Sequence, residues 1–434
     1  MYKTILATIL IFAGQLTAVG QESLTLQETL EIALAQNYDI QVALNNYRMS
    51  DIQTQPGNAG LLPRLDLTGG LTLQDVSNSA TFQDGQSATS SAALSASYTL
   101  FNGMSNWQQF RKLQLSRDSG AWLTRQQIEQ SLLEVATAYF NITLTIENRN
   151  IMQESLEISR QRLHRLENAA RYGQAGSVDL LSARVEMSQD SVLLLQSGYA
   201  LKQAERDLNL LLNRNPGSEL TVLDEIVFDT ELDLNRLLQS AEQSNAAYQA
   251  VLLNVRTAGL DLAQTRALYL PRLDLQGSLG YSQRANDFNP DLSDPTRTAS
   301  VGLNASFNLF NGGRNRITRQ TTRIARDNSL LQQEEALMQL QSQVTGLLEA
   351  FENNRYILRV QQDNLEAVEL NFERTLELHI MGQVTSTQMR EAQLHKVRTS
   401  TGLMEARYNA RLSELRLLQV AGRISEIIEI EIAN

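Results

Sequence analysis

The chain has 434 residues and a formal net charge of −11, from 37 Lys and Arg against 48 Asp and Glu. So acidic a balance argues against nucleic-acid binding, which is driven by basic residues meeting phosphate. There is no cysteine, and the three histidines (His164, His379, His395) are not at metal-ligand spacing. Disulfides, thiolate catalysis, Fe–S clusters and cysteine zinc sites are thereby excluded, and neither a cofactor nor a metal is expected.

Residues 1–20 read as a secretory signal peptide. Lys3 gives the positive start, Ile5 to Ala13 the apolar run, and Ala18-Val19-Gly20 the small residues for cleavage. Beyond it no apolar run reaches the roughly 18 residues of a transmembrane helix. An exported chain of this kind is either soluble outside the cytoplasm or embedded as a β-barrel.

Residues 21–212 form a first repeat: a helix, two strands, a long helix, a tip turn at 171–177 and another helix. Pro56-Gly57 predicts a kink or early break in the first helix. The strands are placed at 64–75 and 92–101, joined by a Gly/Ser/Asp-rich loop over 76–91. Leu65, Leu67, Leu71 and Leu73 alternate with Asp66, Thr68, Thr72 and Gln74; Leu94, Ala96, Tyr98 and Leu100 alternate with Ser95, Ser97 and Thr99. Period two gives one apolar and one polar face. Each run is close to the roughly 9–11 residues of a tilted membrane strand. The strands alone fit a half-buried hairpin on a soluble core equally well. The Asp/Thr/Ser/Gln face favours a polar channel inside and lipid outside. Tyr98 and Phe101 here, and Tyr281, Phe307 and Phe310 later, lie toward strand ends, as an interfacial girdle does.

From near Asn102 to Arg171 no proline interrupts the chain, and Leu132, Val135, Tyr139, Ile142 and Ile146 step by three and four. That is helix-on-helix, coiled-coil-like patterning. About 70 residues of helix span about 100 Å, too long to wrap a compact core. A solvent-exposed coiled coil would carry the same Gln/Asn/Glu/Arg-rich surface.

Residues 213–230 join this repeat to a second, at 231–422. Leu62-Pro63-Arg64-Leu65-Asp66-Leu67 recurs as Leu270-Pro271-Arg272-Leu273-Asp274-Leu275, 208 residues on. Leu100-Phe101-Asn102-Gly103 recurs as Leu309-Phe310-Asn311-Gly312, and Gly173-Gln174 as Gly382-Gln383, both 209 residues on. Three matches at nearly one offset mark an internal duplication. The second repeat's strands are placed at 272–283 and 298–310 and its tip turn at 380–386, and residues 423–434 are a tail.

Four membrane strands cannot close a barrel, since about eight is the smallest number known. An open edge in lipid leaves unsatisfied backbone groups. The chain must oligomerise if the strands span: two copies give eight strands and three give twelve, and twelve can leave a lumen.

The doubled order of elements, with Leu-Pro-Arg-Leu before the strands and Leu-Phe-Asn-Gly after them, resembles the TolC-like outer-membrane efflux protein family over Leu24 to about Gly422. The resemblance implies an α+β membrane protein: a homotrimer whose twelve-stranded transmembrane β-barrel, four strands per chain, continues into a long periplasmic α-helical barrel. It implies an outer-membrane location and a non-enzymatic exit duct for tripartite efflux pumps or type I secretion. The implied partners are a periplasmic adaptor and an inner-membrane transporter. Segments 213–230 and 423–434 would form the equatorial belt. It makes Gly173, Gln174, Gly382 and Gln383 adaptor-docking tip candidates, and Asp179, Gln388 and Glu391 candidates for the periplasmic gate. The family's paired second-half aspartates read here as Gln388 and Glu391, while first-turn acids also suit a helix dipole. The rival reading is a secreted or periplasmic structural coiled-coil protein without channel activity. An enzyme has little support: there is no G-x-S-x-G, P-loop or H-E-x-x-H motif.

Overall fold

The computed structural model describes residues 23–78, 83–173, 176–222, 228, 232–286 and 295–424. The signal-peptide assignment, Gln174 and all but the first two residues of the tail lie outside them. The elements are α1 (Leu26–Gln36), α2 (Tyr38–Gln53), β1 (Arg64–Asn78), β2 (Gln83–Asn102), α3 (Ser105–Arg171), α4 (Ser177–Leu211), α5 (Leu234–Ser244), α6 (Ala246–Gln264), β3 (Arg272–Asn286), β4 (Thr296–Ser306), α7 (Arg314–Ile380) and α8 (Ser386–Val420). The duplication is exact in length at its core: α3 and α7 have 67 residues each, α4 and α8 35 each.

Matching residues begin and end the paired elements. The first helix of each repeat is two helices, divided by Asn37 and Asn245. The Asn37 side-chain oxygen accepts from the backbone N–H groups of Asp39 and Ile40, and that of Asn245 from Tyr248. Each caps the second helix of its pair by satisfying orphan donors. α2 stops at Gln53, three residues before Pro56, whereas α6 runs on to Gln264. α4 ends with Asn213 in the left-handed region and α8 with Gly422 (φ 53° and 70°), and Arg214 and Arg423 donate back to Asn209 and Leu418. This six-to-one bond is the Schellman helix stop.

The chain divides into two compact units. One comprises the described parts of 1–41, 128–240 and 343–434; the other comprises 42–127 and 241–342. The first has a core of Leu30, Leu132, Val135, Tyr139, Ile142, Leu208, Leu212 and Leu415. Tyr139 donates its hydroxyl to the carbonyl of Leu24 at 2.9 Å. Ser23–Leu24 also pairs in parallel with Thr221–Val222.

The second unit carries an antiparallel sheet in the order β1-β2-β3-β4, so the two hairpins join through β2 and β3. Its register sorts the residues into rows. Leu67, Leu94, Leu279 and Ala299 lie side by side across the four strands, and the adjacent row is Asp66, Ser95, Ser278 and Ser300. The period-two reading therefore extends to the whole sheet. The apolar row residues are exposed, Leu67 by 79% and Val301 by 84%.

Two strand boundaries differ by four residues or more from those expected, and one strand carries an unexpected bulge. β2 begins at Gln83, not 92, because the stretch expected to be loop pairs residue for residue with β1, up to Asn78↔Gln83. A bulge between Thr99 and Phe101 takes Leu100 out of register and sets Phe101 opposite Leu273, so Phe101 replaces Leu100 on the apolar face. β4 ends at Ser306, not 310, because its partner β3 begins at Arg272 and the Arg272↔Ser306 pair is the last available. Phe307 and Phe310 thus lie past the strand.

Candidate conduit wall and entrance

The repeated Leu-Phe-Asn-Gly motif builds the joint between sheet and long helix. Asn102 accepts from the backbone N–H of Asn106 and donates to its side chain at 2.7 Å; Asn106 in turn donates to the carbonyl of Gly60 at 2.6 Å. In the second repeat Asn311, Asn315 and the carbonyl of Leu268 make the same chain of bonds. One asparagine caps the helix and the next ties it to the segment that enters the sheet. Gly103 and Gly312 turn the chain at φ 66° and 68°. At Gly103 a Cβ would lie 2.7 Å from Cα of Ala267, so nothing larger fits.

The girdle candidates divide. Tyr98 and Tyr281 sit in strands, Phe101 closes β2, and Phe307 and Phe310 lie exposed beyond β4, Phe310 by 85%. Exposed Trp107 is set edge-on to Phe110 at 6.5 Å between ring centroids in the first turns of α3, five residues past the end of β2. Tyr269, also exposed, lies just before β3. Neither was singled out by strand alternation, because neither lies in a strand; Trp near the end of a membrane strand was the available signal.

At the tips, Gly173 and Gly382 take φ 72° and 74°, and their N–H groups donate to Ala170 and His379. An added Cβ would meet nothing within 4 Å at either. The requirement is conformational, and the surface around both glycines is open. Gln383 is exposed beside Gly382. Asp179 lies exposed in the first turn of α4. Gln388 is otherwise engaged: its side-chain oxygen accepts from Thr385 N–H at 2.9 Å while the Thr385 hydroxyl accepts from Gln388 N–H, a capping box that starts α8. Glu391 projects freely, its side chain 72% exposed and 3.9 Å from His395 one turn on.

Sequence reasoning missed a buried polar cluster further up the same helices. Arg390 of α8 grips Asp190 of α4 with two bonds, 2.7 and 2.9 Å. Ser159 of α3 donates to the same carboxylate at 2.5 Å, and Gln393 donates to Ser155 and Ser159. Arg162 of α3, only 1% exposed, pairs with Glu186 of α4. Burial, and then the neighbouring Arg390 charge, pull the Arg162 pKa down to about 10. Three helices are thus tied by charges withdrawn from water. No three His, Asp or Glu residues gather as a metal site, and no helix is long and apolar enough to cross a membrane, among the described residues.

Comparison with known proteins agrees over most of the chain. A family model described as outer membrane efflux protein matches residues 29–214 and 237–423, the two repeats in turn. Outer membrane protein TolC of Escherichia coli is 25% identical over 84% of this chain and 76% of its own length. Protein CyaE of Bordetella pertussis is 22% identical over 72% of this chain, which spans 66% of that relative. Among solved structures, the CmeC outer membrane channel of Campylobacter jejuni superposes with a TM-score of 0.76 at 16% identity, over 92% of this chain and 86% of that one. VceC of Vibrio cholerae gives 0.73 at 16% identity, over 92% and 96%. At these identities the structures speak for the fold.

Proposed function

The chain belongs to the outer membrane efflux protein family and is an outer-membrane channel protein reaching into the periplasm, and from that premise we propose how it works. Three copies close a twelve-stranded barrel, and their helices line a tube leading to it. The assembly is the exit duct of a tripartite efflux pump or a type I secretion system. It passes substrate passively from a periplasmic adaptor and an inner-membrane transporter, performs no catalysis and needs no cofactor.

The observation that carries this reading is the sheet. Its outer strands β1 and β4 have no further partner among the described residues, while one face is apolar and exposed across all four strands. Such a sheet is stable in lipid only when its edges are paired by other copies. Polar rows such as Asp66, Ser95, Ser278 and Ser300 then face the lumen.

In the same reading Gly173, Gln174, Gly382 and Gln383 present the tips to the adaptor. Asp179 and Glu391 supply threefold rings of carboxylate at the entrance, which attract cations. Gln388 contributes no charge and is tied to its own helix start.

The test is conductance in a planar bilayer. Purified protein should give discrete, long-lived steps that favour cations. A protein that inserts into vesicles yet never conducts would leave the duct reading without support.

A further inference from the structure

We propose that the first turns of α7 hold the phosphates of anionic phospholipid in the periplasm-facing leaflet, through Arg316, Arg319 and Arg323. This rests on the reading of the four strands as membrane-spanning.

The chain as a whole is acidic, but residues 311–330 contain five arginines and one acid. Arg316, Arg319 and Arg323 are exposed, and their side chains make no hydrogen bond or ion pair among the described residues. At about 100° per residue they fall within an arc of about 60°. Thr318, Thr321, Thr322 and Ala325 instead line a cleft shared with Ala258, Asp261 and Gln264 of α6. The arginines therefore look away from α6.

The first repeat shows which way that face points. At the standing offset of 209, Arg316 corresponds to Trp107 and Arg319 to Phe110. Exposed Trp at the foot of a membrane sheet marks the lipid interface rather than a polar lumen. The same face in the second repeat carries guanidinium where the first carries rings. The repeats differ in charge as well. In the first, Lys112 is paired with Asp261 and Arg117 with Asp118, leaving Arg111 as the one exposed cation there without a partner, whereas three α7 arginines have no acidic partner among the described residues.

Depth agrees. Phe307, Leu309 and Phe310, all exposed, precede α7 and suit the edge of the hydrocarbon. Arg316 and Arg319 lie about 3–8 Å along the helix from its start, within the roughly 5–8 Å of the headgroup layer. Arg323 is about a turn deeper and can reach back along its aliphatic stem. Guanidinium meets phosphate oxygens with two parallel N–H bonds, which suits a planar cation better than a point charge.

The experiment is native mass spectrometry of the detergent-purified full chain after exposure to equimolar phosphatidylglycerol and phosphatidylcholine. The wild type should retain phosphatidylglycerol preferentially. Arg316→Gln/Arg319→Gln/Arg323→Gln should lose that preference by about a hundredfold, the loss expected for three charges near an anionic surface. The corresponding triple Lys variant should keep most of it, and millimolar inorganic phosphate should not displace the lipid. Unchanged preference in the Gln variant overturns the proposal. So does displacement by free phosphate, which would make this a soluble-anion site, or a shift in ion selectivity without loss of lipid, which would put the face in the lumen. Flotation with neutral phosphatidylcholine vesicles reports separately on insertion: a wild type that fails to float removes the membrane reading itself, and this site with it.

Discussion

Arg390 and Asp190 face each other across two helices as a bidentate ion pair, with side chains 11% and 3% exposed. A pair this deep stabilises little over an apolar substitute, but breaking it strands a charge. Arg390→Met should therefore lower stability by about 3–5 kcal/mol, and Arg390→Met with Asp190→Leu should recover most of it. Arg162→Met should cost less than Arg390→Met, because Glu186 is 27% exposed and keeps Arg390 at 3.9 Å. The depressed pKa of Arg162 means the protonated form is disfavoured in the fold, a cost present at neutral pH and relieved only as pH rises through about 10. Thermal unfolding of the three variants beside wild type checks the set.

Met104 holds φ 67° where the second repeat has Gly313 at φ 80°. A side chain in this region costs about 1 kcal/mol or more. Met104→Gly should raise the melting temperature, against the usual effect of added glycine. Gly103→Ala next to it should misfold the joint, since Cα of Ala267 leaves no room. Yield and thermal unfolding of the two variants give opposite signs.

The start of α1 is sensitive to acid. Glu28 accepts from the backbone N–H and hydroxyl of Thr25, which hold its carboxyl below the ordinary 4.5. A depressed acid stabilises above its unfolded pKa and loses that contribution as pH falls through the folded value. Glu28→Gln should unfold more readily than wild type at neutral pH. The difference should shrink below about pH 4.5, and melting curves against pH measure it.

At the entrance, Asp179→Asn with Glu391→Gln should weaken cation selectivity, read from reversal potentials in planar bilayers under a salt gradient. Gln388→Glu should add less than a free carboxylate would, because the capping box with Thr385 holds that side chain against its own helix. Selectivity indifferent to Asp179 and Glu391 would remove them from the gate.

How much could be read in advance follows from the range of the forces. The strands and long helices were legible because their periods, two against 3.6, are written in neighbouring residues. The doubling was legible because it repeats words such as Leu-Phe-Asn-Gly. The end of β4 was not, since it depends on where β3 begins, and neither was the β2 bulge that exchanges Leu100 for Phe101. The Arg162, Glu186, Asp190 and Arg390 cluster left no local trace: its members lie on three helices, two of them 200 residues apart, and each reads singly as a solvated charge. Strand alternation carries no signal for Trp107, which lies in the first turn of α3, past the end of β2.

The central claim is that one chain supplies a third of a closed wall, and the number of chains per particle tests it most directly. Light scattering of the detergent-purified protein, corrected for bound detergent, should return three chains in a single species. A monodisperse single chain, with β1 and β4 protected from amide exchange, would contradict it.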